Sequence, residues 1–270
     1  MDEEKKSEEL VEQEGTEVVE FQQYTDATEI DVQVSTAHRF PRSLSRFRNN
    51  ALAIATADQE TAASCFYSLK RGGKVIEGPG VRLAEIVGSA WGNMRYGARI
   101  VREEKEFIVA QGMAHDLENN VASTIEVRRR ITNRDGRRFN TDMVAVTANA
   151  ACSIALRNAI FKVVPRSFVD SIYLAAKHTA IGDASTLEKR RAQAVEYFGK
   201  MGISKKQLCT YLEIEGVEDI NIATLETLTG LKTAISDGDV TLDDLFPPEE
   251  LKPRRKSDAK KEETKGEESA

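Results

Sequence analysis

The chain has 270 residues, with 38 Lys or Arg against 44 Asp or Glu and a net charge of −6. That length suffices for one substantial core plus a small accessory domain, and no apolar run approaches the length of a membrane span. The three cysteines, Cys65, Cys152 and Cys209, are far apart and odd in number, which argues against a disulfide framework and for a reducing, cytoplasmic setting.

The charge is unevenly spread. Between Arg39 and Arg166 there are about 21 Lys or Arg against about 12 Asp or Glu, so the middle is basic and the flanks are acidic. A basic middle suits a polyanionic partner, and acidic flanks suit solubility or partner contact.

In chain order, residues 1–36 are rich in Glu, Gln, Asp and Thr and read as an acidic disordered tail. The acidic start fits neither a signal peptide nor a transit peptide. A weak alternation at Glu29–Val34 predicts an edge strand. Leu44, Phe47, Ala51, Ile54 and Ala55 recur at helical spacing, and Asp58 caps a second predicted helix running through Ala62, Phe66 and Leu69. The loop Lys70-Arg71-Gly72-Gly73-Lys74 reads either as an ordinary helix stop or as a phosphate contact. Gly78-Pro79-Gly80 opens a helix through Leu83, Ile86 and Val87, with Pro79 in the first turn.

Three strands are then predicted, at Met94–Arg102, Glu106–Asp116 and Val121–Ile131, each rich in Val, Ile or aromatic residues and separated by short polar breaks. Arg134-Asp135-Gly136-Arg137 is a further turn. Asp142–Val164 reads as a long alanine-rich helix closed by Pro165, followed by a helix to Ile181. Gly182–Ser185 reads as a linker. Beyond it, three short amphipathic helices carry Phe198, Leu208 and Leu225, with Ser204 and Thr224 opening the second and third. The expected architecture is α+β: a core at 37–181, in which an antiparallel meander packs with helices before and after it, then a small all-α unit at 185–247. A disordered charged tail at 248–270 completes it.

Catalytic signatures are sparse. His38, His115 and His178 stand apart from one another and from the cysteines, so neither a metal nor a cofactor is expected. There is no nucleophile elbow and no phosphate-binding P-loop. Glu103-Glu104-Lys105 has the look of a nuclease triplet, but a turn is a poor place for a rigid metal site. The expectation is a protein that is not an enzyme.

The basic residues are more informative. Arg95, Arg99 and Arg102 lie on the first predicted strand, Arg128, Arg129 and Arg130 end the third, and Arg134, Arg137 and Arg138 flank the next turn. Strand alternation puts Arg128 and Arg130 on one face and Arg129 on the other, with Ile125 and Val127. Trp91, Tyr96, Phe107 and Phe139 interleave with them. Cations that track phosphates beside rings that stack bases form a sequence-tolerant groove for a single strand. Lys70, Arg71 and Lys74 in the loop, and Arg157, Lys162 and Arg166 around the end of the long helix, complete the candidate DNA-binding set. Each ring taken alone is more often core than a stacking platform.

The passage Gly80-Val81-Arg82-Leu83-Ala84-Glu85, then Trp91-Gly92-Asn93 and Ala98-Arg99-Ile100-Val101-Arg102, resembles the helix-into-strands region of phage single-strand annealing proteins of the RecT, Redβ and Erf type. Ala155-Leu156-Arg157-Asn158-Ala159-Ile160-Phe161 with Val164-Pro165 is similar to the helix end in the same group. The resemblance covers about Arg39–Arg166; the segment before Lys70 departs from it. It implies ATP-independent annealing of complementary DNA strands by a homo-oligomeric ring or filament, in a phage-infected cell's cytoplasm. It also implies an exonuclease or single-strand-binding protein as partner, met through the C-terminal helical unit, and no membrane. Two other readings stand beside it: a phage assembly protein that oligomerises through the sheet without annealing DNA, and an enzyme with an unrecognised carboxylate site.

Overall fold

A computed structural model of the chain describes residues 27–71, 74–133 and 135–246. Helices α1 (residues 27–39), α2 (Leu44–Ala55) and α3 (Gln59–Ser64) precede a hairpin of β1 (Phe66–Arg71) and β2 (Lys74–Pro79). Helix α4 (Val81–Trp91), strands β3 (Met94–Glu103), β4 (Phe107–Asp116) and β5 (Val121–Arg130), and helices α5 (Thr141–Val163) and α6 (Arg166–Ile181) follow. The chain continues with α7 (Leu187–Lys200), α8 (Lys205–Leu212), a 3-10 turn at Val217–Asp219, α9 (Ile222–Ser236) and α10 (Leu242–Leu245). The fold is α+β, with an antiparallel sheet of order β3-β4-β5 flanked by helices.

The described chain divides into two units. The first takes the residues up to Phe66 together with Gly78–Ala180; the second takes Tyr67–Glu77 together with the residues from Ile181 onward. The hairpin, expected inside the core, therefore belongs with the C-terminal helices. Added to Gly230 of α9, a Cβ would sit 2.4 Å from the Ser68 backbone N, so that glycine lets helix and hairpin touch. The Lys70 backbone N–H donates to the Tyr211 hydroxyl at 2.9 Å, and Phe198, Leu208, Leu228 and Leu231 form the fully buried interior.

Several local expectations are corrected. Residues Glu29–Val34 lie in α1 rather than on an edge strand, so helix replaces part of the expected tail; residues 1–26 and 247–270 lie outside the described residues. The helix capped by Asp58 ends at Ser64, and Phe66–Arg71 is strand. Phe-Tyr favours strand, and Gly72-Gly73 between two runs is a two-residue hairpin signal that helical spacing concealed. Pro79 ends β2 and Gly80 is the N-cap of α4. Asn221, not Thr224, caps α9; the two exchange hydrogen bonds as a capping box, Asn221 N–H to Thr224 Oγ1 at 2.8 Å and Thr224 N–H to Asn221 Oδ1 at 3.0 Å.

The β3-β4-β5 sheet has two unlike faces. On the inner face, Ile108 and Ala110 pack with Ala151 and Ala155 of α5 and with Ile131. Helix α5 is the one described helix long and apolar enough to cross a membrane by length and composition, and here it lies along the sheet. Asn140 caps it, accepting from Met143 N–H at 2.8 Å. Its small residues allow a very close approach: a Cβ on Gly112 would meet the Ala155 backbone at 2.2 Å.

The turn between β4 and β5 is anchored from α2's entry segment. The Arg42 guanidinium is 6% exposed and grips the Asp116 carboxylate, which is 3% exposed, with Nη1 to Oδ2 at 2.7 Å. It lies 4.4 Å from the Trp91 ring centroid, and Trp91 Nε1 donates to Asp116 at 3.1 Å. Arg42 N–H and Nε both donate to Glu118. Burial pushes the Glu118 carboxyl up, but hydrogen bonds from Arg42 and Asn93 and the Arg42 charge outweigh it and hold the group below the ordinary carboxylate range.

Three expectations follow from this packing. Gly112→Ala forces helix and sheet apart, and denaturant unfolding is expected to show a loss of about 1–3 kcal/mol. Asp116→Ala leaves the buried guanidinium with Glu118 as its remaining counter-charge and its two Nη groups unpaired, and is expected to cost about 3 kcal/mol in the same measurement. Because the folded Glu118 value is lowered, its contribution is complete above the ordinary carboxylate range and is lost as pH falls through the lowered value. Glu118→Gln should therefore flatten the acid limb of a stability-versus-pH curve.

Candidate nucleic-acid interface

The strand register sorts the predicted basic residues. Arg95 stands opposite His115, Arg99 opposite Gln111, Arg102 opposite Val109, Val109 opposite Arg128, and Phe107 opposite Arg130. A bulge between Ile100 and Arg102 shifts β3 by one residue, which turns Arg102 to the same side as Arg99. Five arginines, Arg95, Arg99, Arg102, Arg128 and Arg130, thus share the face away from α5. Arg99, Arg102, Thr124, Glu126, Arg128 and Arg130 are solvent-exposed there. Val109 is nonetheless 0% exposed, which fits long arginine stems lying across it from both neighbouring strands.

Arg129, with Ile125 and Val127, is half-buried on the inner face, as alternation predicts. Arg138 bridges back to Thr132 and pairs with Glu103, while Arg137 is exposed in the same turn. Arg134 lies outside the described residues. Arg157, Lys162 and Arg166 belong to the helices rather than to the open sheet face. Arg157 is half-buried with Nε donating to Asn158 at 3.3 Å, Lys162 is exposed, and Arg166 pairs with Asp170 at 3.2 Å. Lys70, Arg71 and Lys74 are on the hairpin of the second unit. There the Lys70 ammonium donates to Leu212 O at 3.3 Å and pairs with Glu213 at 3.4 Å, so it is a structural cation and not a loop end.

Of the four predicted stacking rings, Phe107 alone stands on the open face. Arg128 and Arg130 lie 4.3 Å and 5.2 Å from its centroid. Trp91 is 4% exposed, with Phe47 edge-on at 4.9 Å, and has no face to offer a base. Tyr96 packs on the core beside Gly88, and Phe139 packs on the cluster between α5 and the sheet.

The glutamates were not anticipated. Glu104, read as part of a turn, receives Arg128 at 2.6 Å and Arg102 at 4.0 Å. Glu126 receives Arg102 at 3.0 Å and Glu106 receives Arg130 at 3.8 Å. The only sequence signal was the three-strand register itself, which sets opposite charges side by side. At the other end, Glu29 of α1 pairs with Arg95 at 3.5 Å. Arg99 meets a neutral partner, donating to Gln111 at 3.3 Å. Among the described residues, no group of His, Cys, Asp and Glu is arranged to hold a metal ion.

No family model, curated protein or solved structure matches the chain.

The two faces give a structural prediction. Arg128→Ala and Arg130→Ala remove exposed pairs and should each change unfolding free energy by under about 1 kcal/mol. Arg129→Ala strips a stem from the half-buried inner face and is expected to cost more than either, in parallel urea titrations.

Proposed function

We propose that the chain binds single-stranded DNA along the open face of the β3-β4-β5 sheet and anneals complementary strands without nucleotide hydrolysis. One observation carries the reading: five arginines, four of them solvent-exposed, and the Phe107 ring share one sheet face in a chain whose net charge is −6. Guanidinium forks suit phosphate oxygens, and a ring among them suits an unstacked base. Annealing and DNA, as against RNA, come from the resemblance to phage annealing proteins rather than from the geometry. The proposed partner of the C-terminal unit, an exonuclease or single-strand-binding protein, comes from the same source.

The sheet order leaves β3 and β5 each with one edge that pairs with no strand among the described residues. Such edges accept strands from further copies, and the proposal includes a homo-oligomer built this way. The same edges favour a second reading, an assembly protein whose sheet serves only self-association.

Salt separates the two. On single strands the slope of log K against log salt is about −0.7 per phosphate contact. Fluorescence anisotropy of a labelled oligonucleotide is expected to show binding that weakens steeply with salt. Replacing both Arg128 and Arg130 by Ala should reduce the slope's magnitude by up to about 1.4. Wild-type affinity and slope in the folded double variant would sink the assignment and favour the assembly reading.

A further inference from the structure

The arginines of the open face already hold anions, and those anions are the protein's own. Glu104 sits between Arg128 and Arg102, Glu126 takes Arg102, and Glu106 takes Arg130. The three arginines are 55–56% exposed and the three glutamates 38–48% exposed, so every pair is open to solvent. A guanidinium fork donates to a carboxylate or to a phosphate with the same geometry. Exposed pairs of this kind contribute little net free energy, so a competing anion displaces them at small cost. Arg99 differs, because its neighbour Gln111 is neutral.

We propose that Glu104, Glu106 and Glu126 are resident stand-ins for phosphate, so that a single strand binds this face by exchange. This rests on the reading of the face as a single-strand path. Arg99 meets the first phosphate without exchange; Arg102, Arg128 and Arg130 then hand over from carboxylate to phosphate. The stand-ins do two things. They keep the long side chains aligned across Val109 and Phe107 when no strand is present. They also damp affinity, because each displaced carboxylate returns to water and regathers counterions. A strand held this way is held loosely enough to shift along the face while it searches for its complement.

The test uses glutamine, which keeps an oxygen acceptor in place and removes the charge. Glu104→Gln and Glu126→Gln are combined in the full chain, and binding of fluorescein-labelled oligothymidine is followed across a salt series. Glu85→Gln serves as the control: it breaks the Arg82–Glu85 pair at 2.8 Å on α4, off the sheet, with half the double variant's loss of charge. The expected result is binding about tenfold tighter for the double variant with a steeper salt slope, against less than about twofold for the control. A double variant within about twofold of the parent overturns the exchange while leaving the binding face intact. Equal tightening per charge removed by Glu85→Gln also overturns it, by reducing the effect to overall charge. A parent chain without salt-sensitive binding overturns the reading of the face itself, and the exchange with it.

Discussion

The ion pair between Arg42 and Asp116 is the constraint on which the arrangement of the sheet depends. Both groups are almost wholly removed from water, an expensive state for two charges. The cost is offset by saturation: Asp116 accepts from Arg42, from Trp91 Nε1, from Asn119 Nδ2 and from the backbone N–H groups of Glu118 and Asn119. Asn93, at a positive φ of 47°, points its amide to Phe40 O and to Glu118 at 2.9 Å each. The entry to α2, the end of α4, the start of β3 and the end of β4 are thereby pinned at one point. A buried ionic cluster of this kind specifies position more than it adds stability, and position is what a sheet with two unlike faces needs. A slip of one residue would turn Arg128 and Arg130 inward and Arg129, with Ile125 and Val127, outward.

Given that register, the division of labour between the faces follows from side-chain size. The inner face carries Ala110, Gly112 and Ala114, so α5 descends until its backbone at Ala155 touches the sheet. At that contact helix and sheet leave no space between them. The outer face carries long side chains whose stems cover the apolar atoms that remain, and whose heads stay in water. Charge is concentrated there on one surface, in alternation with carboxylates.

Much of this could be read in the sequence because it is local. The three strands, the long helix, the Asp58 cap and the separation of Arg128 and Arg130 from Arg129 all depend on neighbours within a few residues. What escaped is non-local or contrary to propensity. Arg42 meets Asp116 from 74 positions away, and nothing near either residue announces the other. Glu104 gains its meaning only when β3, β4 and β5 are laid in register. The hairpin at residues 66–79 was hidden because Phe66 and Leu69 also fit helical spacing, and its membership of the C-terminal unit depends on Gly230, more than 150 residues later. Trp91 looked like a stacking ring by its place among basic residues, yet its burial is decided by Arg42, Phe47 and Phe168.

The central claim is that the open sheet face is the path of a single strand, and photo-crosslinking tests it most directly. A thymidine oligonucleotide carrying a photoreactive base is crosslinked to the full chain at low salt, and the adducts are mapped by peptide mass spectrometry. The account predicts adducts on β4 and β5 at outward positions, Phe107, Met113 and His115 foremost, and their loss as salt is raised. Adducts confined to the α5 face of the first unit or to the C-terminal helices, with none on the outward residues of β4 and β5, would contradict it.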